Sequence, residues 1–198
     1  MTKSLQRLIA AFRKFPGVGP KQAERFAMLV IMSDSNEVRE FIQAIESARN
    51  SIKLCRFCCD LSEEEICSIC SDTGRNRAII CVVEQPQDAA AVEKTGAYNG
   101  LYHVLHGAIS PIEGVNSGSI KLQNLAERIR KSNGAISEII IATNPDTEGE
   151  MTAMHITRLL KNKVAKITRI AYGVPLGGDI DYIDEMTLRH ALNGRISI

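Results

Sequence analysis

The chain has 198 residues, enough for one larger domain or two small ones with an insert. With 44% hydrophobic and 24% charged residues it has the composition of an ordinary globular protein. It carries no low-complexity segment, no apolar run of membrane length and no secretory leader pattern, so a cytosolic chain with reduced thiols is expected. The net charge of +1 hides an asymmetry. Residues 1–53 hold nine Lys/Arg against five Asp/Glu, a net of +4, which leaves −3 for the rest. A basic end on a nearly neutral chain is a footprint for a polyanion, or simply a solvated helix face.

Residues 3–15 place Leu5, Leu8, Ile9 and Phe12 at helical spacing, and Pro16 and Gly17 end that helix. Pro20 opens a second helix through about Met32, and a third is expected over 35–52. The connector Phe15-Pro16-Gly17-Val18-Gly19-Pro20 is followed by Lys21 and Arg25. Gly17 and Gly19 allow a tight backbone path and close approach of a phosphate. The next helix start supplies free N–H groups and the positive end of a dipole. Together these can hold a nucleic-acid backbone without reading bases. A plain helix–helix turn would want glycine, but not two flanking basic residues. The stretch PGVGPKQAERFA resembles a helix-hairpin-helix motif.

Cys55, Cys58, Cys67 and Cys70 are spaced C-x2-C, eight residues, C-x2-C. Two such pairs complete a tetrahedral four-sulfur shell suited to Zn2+, a structural zinc. The intervening CDLSEEEI is too short and polar for a core of its own, so metal binding and folding are coupled. Disulfides conflict with the expected compartment, and a redox C-x2-C would stand singly beside a βαβ pattern. Cys59 neighbours Cys58 and competes with it as a ligand. Cys81, in the apolar run AIICVV, reads as a buried strand residue.

Beyond the cysteines, strands and helices alternate. Strands are expected at 78–83, 101–105, 138–143 and 166–172. Helices are expected over PQDAAAVEKT, LQNLAERIRKS, 148–162 and 184–192, with a Gly/Ser/Pro-rich loop at 106–119. This alternation argues for an α/β fold, a parallel sheet flanked by helices, behind a small α-helical N-terminal part. Glu84 falls at the carboxyl end of the first strand, and Asn144-Pro-Asp146-Thr-Glu148-Gly-Glu150 at the end of the 138–143 strand. Those ends line the ligand crevice of an open parallel sheet, where converging carboxylates could hold Mg2+. Helix-start stabilisation by Glu148 and Glu150 is the plainer alternative. The pattern resembles a Toprim domain, whose catalytic members bind metal for phosphodiester chemistry. Asn144 stands where they carry the first acid of the triplet, and no nucleophilic tyrosine context accompanies it. His103 and His106 flank a strand end and could pair with a carboxylate or a metal. The 173–179 loop has glycines but no following lysine, so it is not a P-loop.

The order of these segments, with the strings VVEQPQD, YHVLHGAISPIEGV, ATNPDTEGEMTA and AYGVPLGGDIDYIDEMTL, resembles the RecR family of recombination mediators over essentially the whole chain. The resemblance implies four parts: a helix-hairpin-helix region at 1–53, a four-cysteine zinc finger at 54–76, a Toprim domain at 77–172, and a C-terminal segment at 173–198. It implies a non-enzymatic DNA-binding protein that works with RecO and RecF to load RecA onto single-stranded gaps. It further implies a dimer or ring-like tetramer and a bacterial, cytoplasmic, nucleoid-associated setting, with no membrane partner. Carried onto this chain, Lys21 and Arg25 are the DNA contacts, with Gly17 and Gly19 in the hairpin. Glu84, Asp146 and Glu148, with Glu150, are candidates for a RecO contact or a residual Mg2+ site. The competing class is a small Mg2+-dependent Toprim nuclease. With 5% aromatic residues and no Trp, an independent single-strand stacking platform is not expected.

Overall fold

In the computed structural model residues 1–112, 114–116 and 118–195 are described, and the chain divides into two compact units, Met1–Ile52 and Lys53–Ile198. The first unit is three helices: α1 (Lys3–Phe12), α2 (Pro20–Met32) and α3 (Ser35–Ser51). Thr2 caps α1 by accepting from the Leu5 N–H, and Asp34 caps α3 by accepting from the Asn36 N–H. Helix α1 ends ahead of the proline expected to stop it. Lys14 and Phe15 close tight turns there, on Ala11 and Phe12. The rings of Phe12 and Phe26 meet at 5.6 Å between α1 and α2. Only Ala23 and Ala27 of α2 are fully buried among the described residues of the three helices.

The second unit opens with the antiparallel pair β1 (Lys53–Leu54) and β2 (Leu61–Ser62), then a single turn α4 (Ser68–Ser71). The rest alternates as expected: β3 (Asn76–Val83), α5 (Pro86–Lys94), β4 (Gly100–Val104), α6 (Leu122–Lys131), β5 (Glu138–Ala142), α7 (Thr147–Leu160), β6 (Lys166–Arg169) and α8 (Glu185–Asn193). The strands form one parallel sheet in the order β4-β3-β5-β6. Period-two alternation divides β3 between two cores. Ile80 and Val82 pack with Leu125 and Ile129 of α6 and Ile156 and Leu160 of α7. Cys81 and Val83 pack on the other face with Ala89 of α5, Tyr102 and Val104, as expected for Cys81.

Strand β6 is shorter than the 166–172 run expected from its sequence. Its last rung is the Ile170 N–H to the Ile141 carbonyl, after which the chain leaves the sheet. Because β3 is flanked on one side by β4 and on the other by β5, the strand order reverses between β3 and β5. The carboxyl ends of those two strands are therefore the topological switch point, where open α/β sheets place their crevice.

Candidate metal centre and nucleic-acid interface

The four cysteines Cys55, Cys58, Cys67 and Cys70 are all buried, and their Sγ atoms lie within 4.8 Å of one another. The Cys58 and Cys67 sulfurs are 3.5 Å apart. A tetrahedral zinc with bonds of about 2.3 Å separates its sulfurs by about 3.8 Å, so the quartet fits the ion. The Cys67 N–H points at Cys55 Sγ (3.3 Å) and the Cys70 N–H at Cys67 Sγ (3.4 Å), donors that favour the thiolate form. The shared hydrogen bonds lower the Cys67 pKa and raise that of Cys58, so the thiols do not ionise together unless a cation offsets their charge. The competition between Cys58 and Cys59 is decided by the backbone. Cys59 adopts a left-handed φ of 61° and is not part of the quartet.

The knuckle is fastened to the sheet by backbone groups. The Val104 N–H donates to the Cys58 carbonyl (2.8 Å), and His106 Nε2 donates to the Cys59 carbonyl (2.6 Å). His103 Nε2 donates to the Lys121 carbonyl (2.9 Å). Neither histidine joins the quartet, which corrects the expectation of a metal role, and among the described residues His106 acts on the Asp60 carboxylate through charge and not through a hydrogen bond. Burial lowers the His103 pKa to about 4, so it is neutral at physiological pH.

The acidic residues at the switch point do not gather as the thiols do. Among the described residues the cysteine quartet is the one group of three or more ligand-type side chains close enough to share an ion. Glu84 is buried and accepts both N–H groups of Asn144: backbone N to Oε1 at 2.9 Å and Nδ2 to Oε2 at 2.7 Å. Desolvation still raises its pKa. Asp146 caps α7 by accepting from the Gly149 N–H (2.7 Å). Glu148 accepts from the Ser110 hydroxyl, while Glu150 accepts from Tyr172 (2.7 Å) and Arg169 (2.5 Å). The cause is helical geometry: residues two apart, such as 148 and 150, do not share a face. Gly149 is required where it stands, because a Cβ there would lie 2.1 Å from the Asn144 carbonyl oxygen and 2.9 Å from Glu84 Oε1. The sequence singles out none of Ser110, Thr152, Arg169 and Tyr172. Ser110 reaches Glu148 across 38 residues, Arg169 and Tyr172 reach Glu150 across 19 and 22, and Thr152 accepts from the Ile109 N–H across 43, contacts that no local pattern announces.

In the helical unit, the hairpin expected to meet nucleic acid is open. Gly17 takes a φ of +78°, and nothing lies within 4 Å of where a Cβ would stand. Gly19, the residue before α2, is equally unobstructed. No side chain caps α2, so its first-turn N–H groups face outward, and Lys21 and Arg25 are exposed one turn apart.

A paired-helix hairpin, a four-cysteine knuckle and a four-stranded parallel sheet with an acidic switch point together define a Toprim-type protein with a zinc finger and a helix-hairpin-helix region. Four family models match in chain order: the RecR helix-hairpin-helix over residues 5–49, the RecR four-cysteine zinc finger domain over 52–72, the Toprim domain over 78–171, and the RecR C-terminal region over 173–196. The chain belongs to the RecR family. Membership implies a mediator's role in recombinational repair, in a family that is generally non-catalytic although it carries a Toprim domain. Among the described residues no helix is long and apolar enough to cross a membrane.

Proposed function

We propose that this chain is a sequence-independent DNA-binding mediator, not an enzyme, that acts with RecO and RecF to load RecA onto single-stranded gaps as a dimeric or tetrameric clamp. The observation that carries the reading is the open hairpin. Two unobstructed glycines, an uncapped helix start, and exposed Lys21 and Arg25 make a surface that takes phosphates and offers nothing to read bases. One such patch per 21.7 kDa protomer gives weak, salt-sensitive binding, and repeating it around an oligomer raises avidity without new contacts. Structural zinc on the cysteine quartet fixes the knuckle. Of the three acids expected to meet RecO, Asp146 is exposed and Glu148 half-buried, so these two suit a basic surface on RecO, while buried Glu84 stands behind them. Their separate engagement by Asn144, the Gly149 N–H and Ser110 supports a contact role over a metal-dependent nuclease.

DNA binding across a salt series, with oligomer mass measured in parallel and Mg2+ present, tests this. Salt-dependent binding by an oligomer that leaves the DNA intact is expected. Lys21→Ala with Arg25→Ala lowers the salt slope by about 1.8 for each protomer that engages both phosphates of a duplex. Cleaved DNA, or an unchanged slope in the double variant, would overturn the reading.

A further inference from the structure

We infer that a groove between the zinc knuckle and α6 is a second nucleic-acid contact, built for single strands: Phe57 stacks on a base while Arg56, Arg128 and Lys131 hold the adjoining phosphates. This rests on the nucleic-acid role proposed above, but uses none of the hairpin residues. The groove measures about 590 Å³, and Arg56, Phe57, Asn124, Glu127, Arg128 and Lys131 are on its walls. Three cations face one carboxylate there, so the lining favours an anion.

Phe57 is 41% exposed although it lies between two buried zinc ligands, Cys55 and Cys58. The partly buried apolar side chains packed on the four cysteines are Ile66 and Ile69, while the Phe57 ring is left exposed on the groove wall. The Arg56 guanidinium lies 5.1 Å from the Phe57 ring centroid, which leaves a combined cation and π surface. Zinc holds the backbone on both sides of the ring, so little freedom is lost when a base stacks on it. Arg128 is fixed as well, its Nη1 donating to the Tyr102 carbonyl at 2.7 Å.

The two remaining cations have partners that a phosphate can displace. Arg56 pairs with Glu65 at 2.8 Å and Lys131 with Glu127 at 2.7 Å, but all four side chains are more than half exposed and such pairs contribute little. The cations in the last turn of α6 also complement its dipole. That role accounts for Arg128 and Lys131 but not for Arg56 or the exposed ring on the knuckle. A single ring is no stacking platform of the kind the composition argues against; it is one base-sized contact beside a phosphate track.

The test uses the full chain, oligo(dT) and a blunt duplex across a salt series, with zinc content followed throughout. Phe57→Ala weakens oligo(dT) binding about tenfold and leaves duplex binding within about twofold, because paired bases do not expose their faces, and Phe57→Tyr restores it. Arg56→Ala with Lys131→Ala lowers the oligo(dT) salt slope by about 1.4. Should Phe57→Ala lose zinc, the Arg56 and Lys131 variant, which leaves every ligand in place, decides. Zinc-loaded variants that bind oligo(dT) like the parent overturn the inference, as does a Phe57→Ala loss equal on both DNAs. The hairpin reading fails separately, if Lys21→Ala with Arg25→Ala changes neither substrate.

Discussion

The chain holds two sets of metal-ligand side chains and treats them in opposite ways. The thiols of Cys55, Cys58, Cys67 and Cys70 converge, and the carboxylates around the switch point are parcelled out one by one. The thiols have no other partner able to balance four ligands in a buried space, so the knuckle needs a cation. Glu84 already has its partner, because the Asn144 amide donates where a cation would otherwise attract. The carboxylates of the crevice are thus hydrogen-bonded one by one to neutral donors, while the small knuckle beside it depends on metal. What distinguishes the two is not ligand chemistry but whether neighbouring donors satisfy the ligands first.

The largest expected break in that comparison comes at the metal. Cys67→Ser removes the sulfur that receives the Cys70 N–H and touches Cys58. The chain then loses zinc, and its melting temperature falls by about 10 °C or more, as it also does when a chelator strips the parent. Because the knuckle is tied to β4 and the residues after it through the Cys58 and Cys59 carbonyls, amide exchange accelerates at Val104 as well as in the knuckle. A variant with the parent's zinc content and melting curve would mean that the quartet is not a structural site.

Asn144→Asp pushes the crevice toward the behaviour of the knuckle. The substitution replaces the Nδ2 donor, 2.7 Å from a buried carboxylate, with a second carboxylate. Two acids at that distance cannot both ionise, so stability falls by about 3 kcal/mol at neutral pH. Adding Mg2+ or Mn2+ restores part of the loss and raises the variant's melting temperature more than the parent's. A variant as stable as the parent and indifferent to divalent ions would show that Asn144 does not hold Glu84.

The two sets also differ in how far the sequence reveals them. The quartet lies within 16 consecutive residues, so spacing alone declares both the ligands and the metal. Only the rivalry of Cys58 and Cys59 stays open, because a left-handed φ at Cys59 cannot be read from spacing. Helix α2 is legible to the residue, with proline at its start and Ser33 after its end. The placement of Glu84 and the 144–150 segment at strand ends is legible too, since four short apolar runs give the alternation. What they touch is not. Asn144 reaches Glu84 across 60 residues, and that contact exists only because β5 pairs directly with β3. Proximity in sequence suggests convergence, but Asp146 turns back to cap α7 at the Gly149 N–H, and Glu148 and Glu150, two apart on the helix, do not share a face. Phe57 escapes notice for a related reason: composition counts few aromatic residues and is blind to one placed between zinc ligands.

The smallest expected effect concerns Glu150, the carboxylate engaged by Tyr172 and Arg169. Tyr172 Oη donates to it at 2.7 Å and Arg169 Nη1 at 2.5 Å, while the Tyr172 ring lies 5.0 Å from that of His190. The Tyr172 hydrogen bond, followed by Arg169, lowers the Glu150 pKa. A carboxylate depressed in the folded state contributes stability above its unfolded pKa, and that contribution fades as the pH falls through the folded value. Glu150 is 48% exposed, so solvent screening leaves the contribution small. Tyr172→Phe keeps the ring against His190 and Arg169 but removes the hydroxyl. It costs about 0.5 kcal/mol at neutral pH, a shift of about 1–2 °C in melting temperature. The gap between variant and parent closes as the pH drops below 4.5, where Glu150 protonates in the unfolded chain and then in the folded one. A gap that stays constant with pH would assign Tyr172 to ring packing alone. Glu150 would then be held by Arg169, and the acidic end would have one carboxylate less firmly engaged than the comparison with the thiols requires.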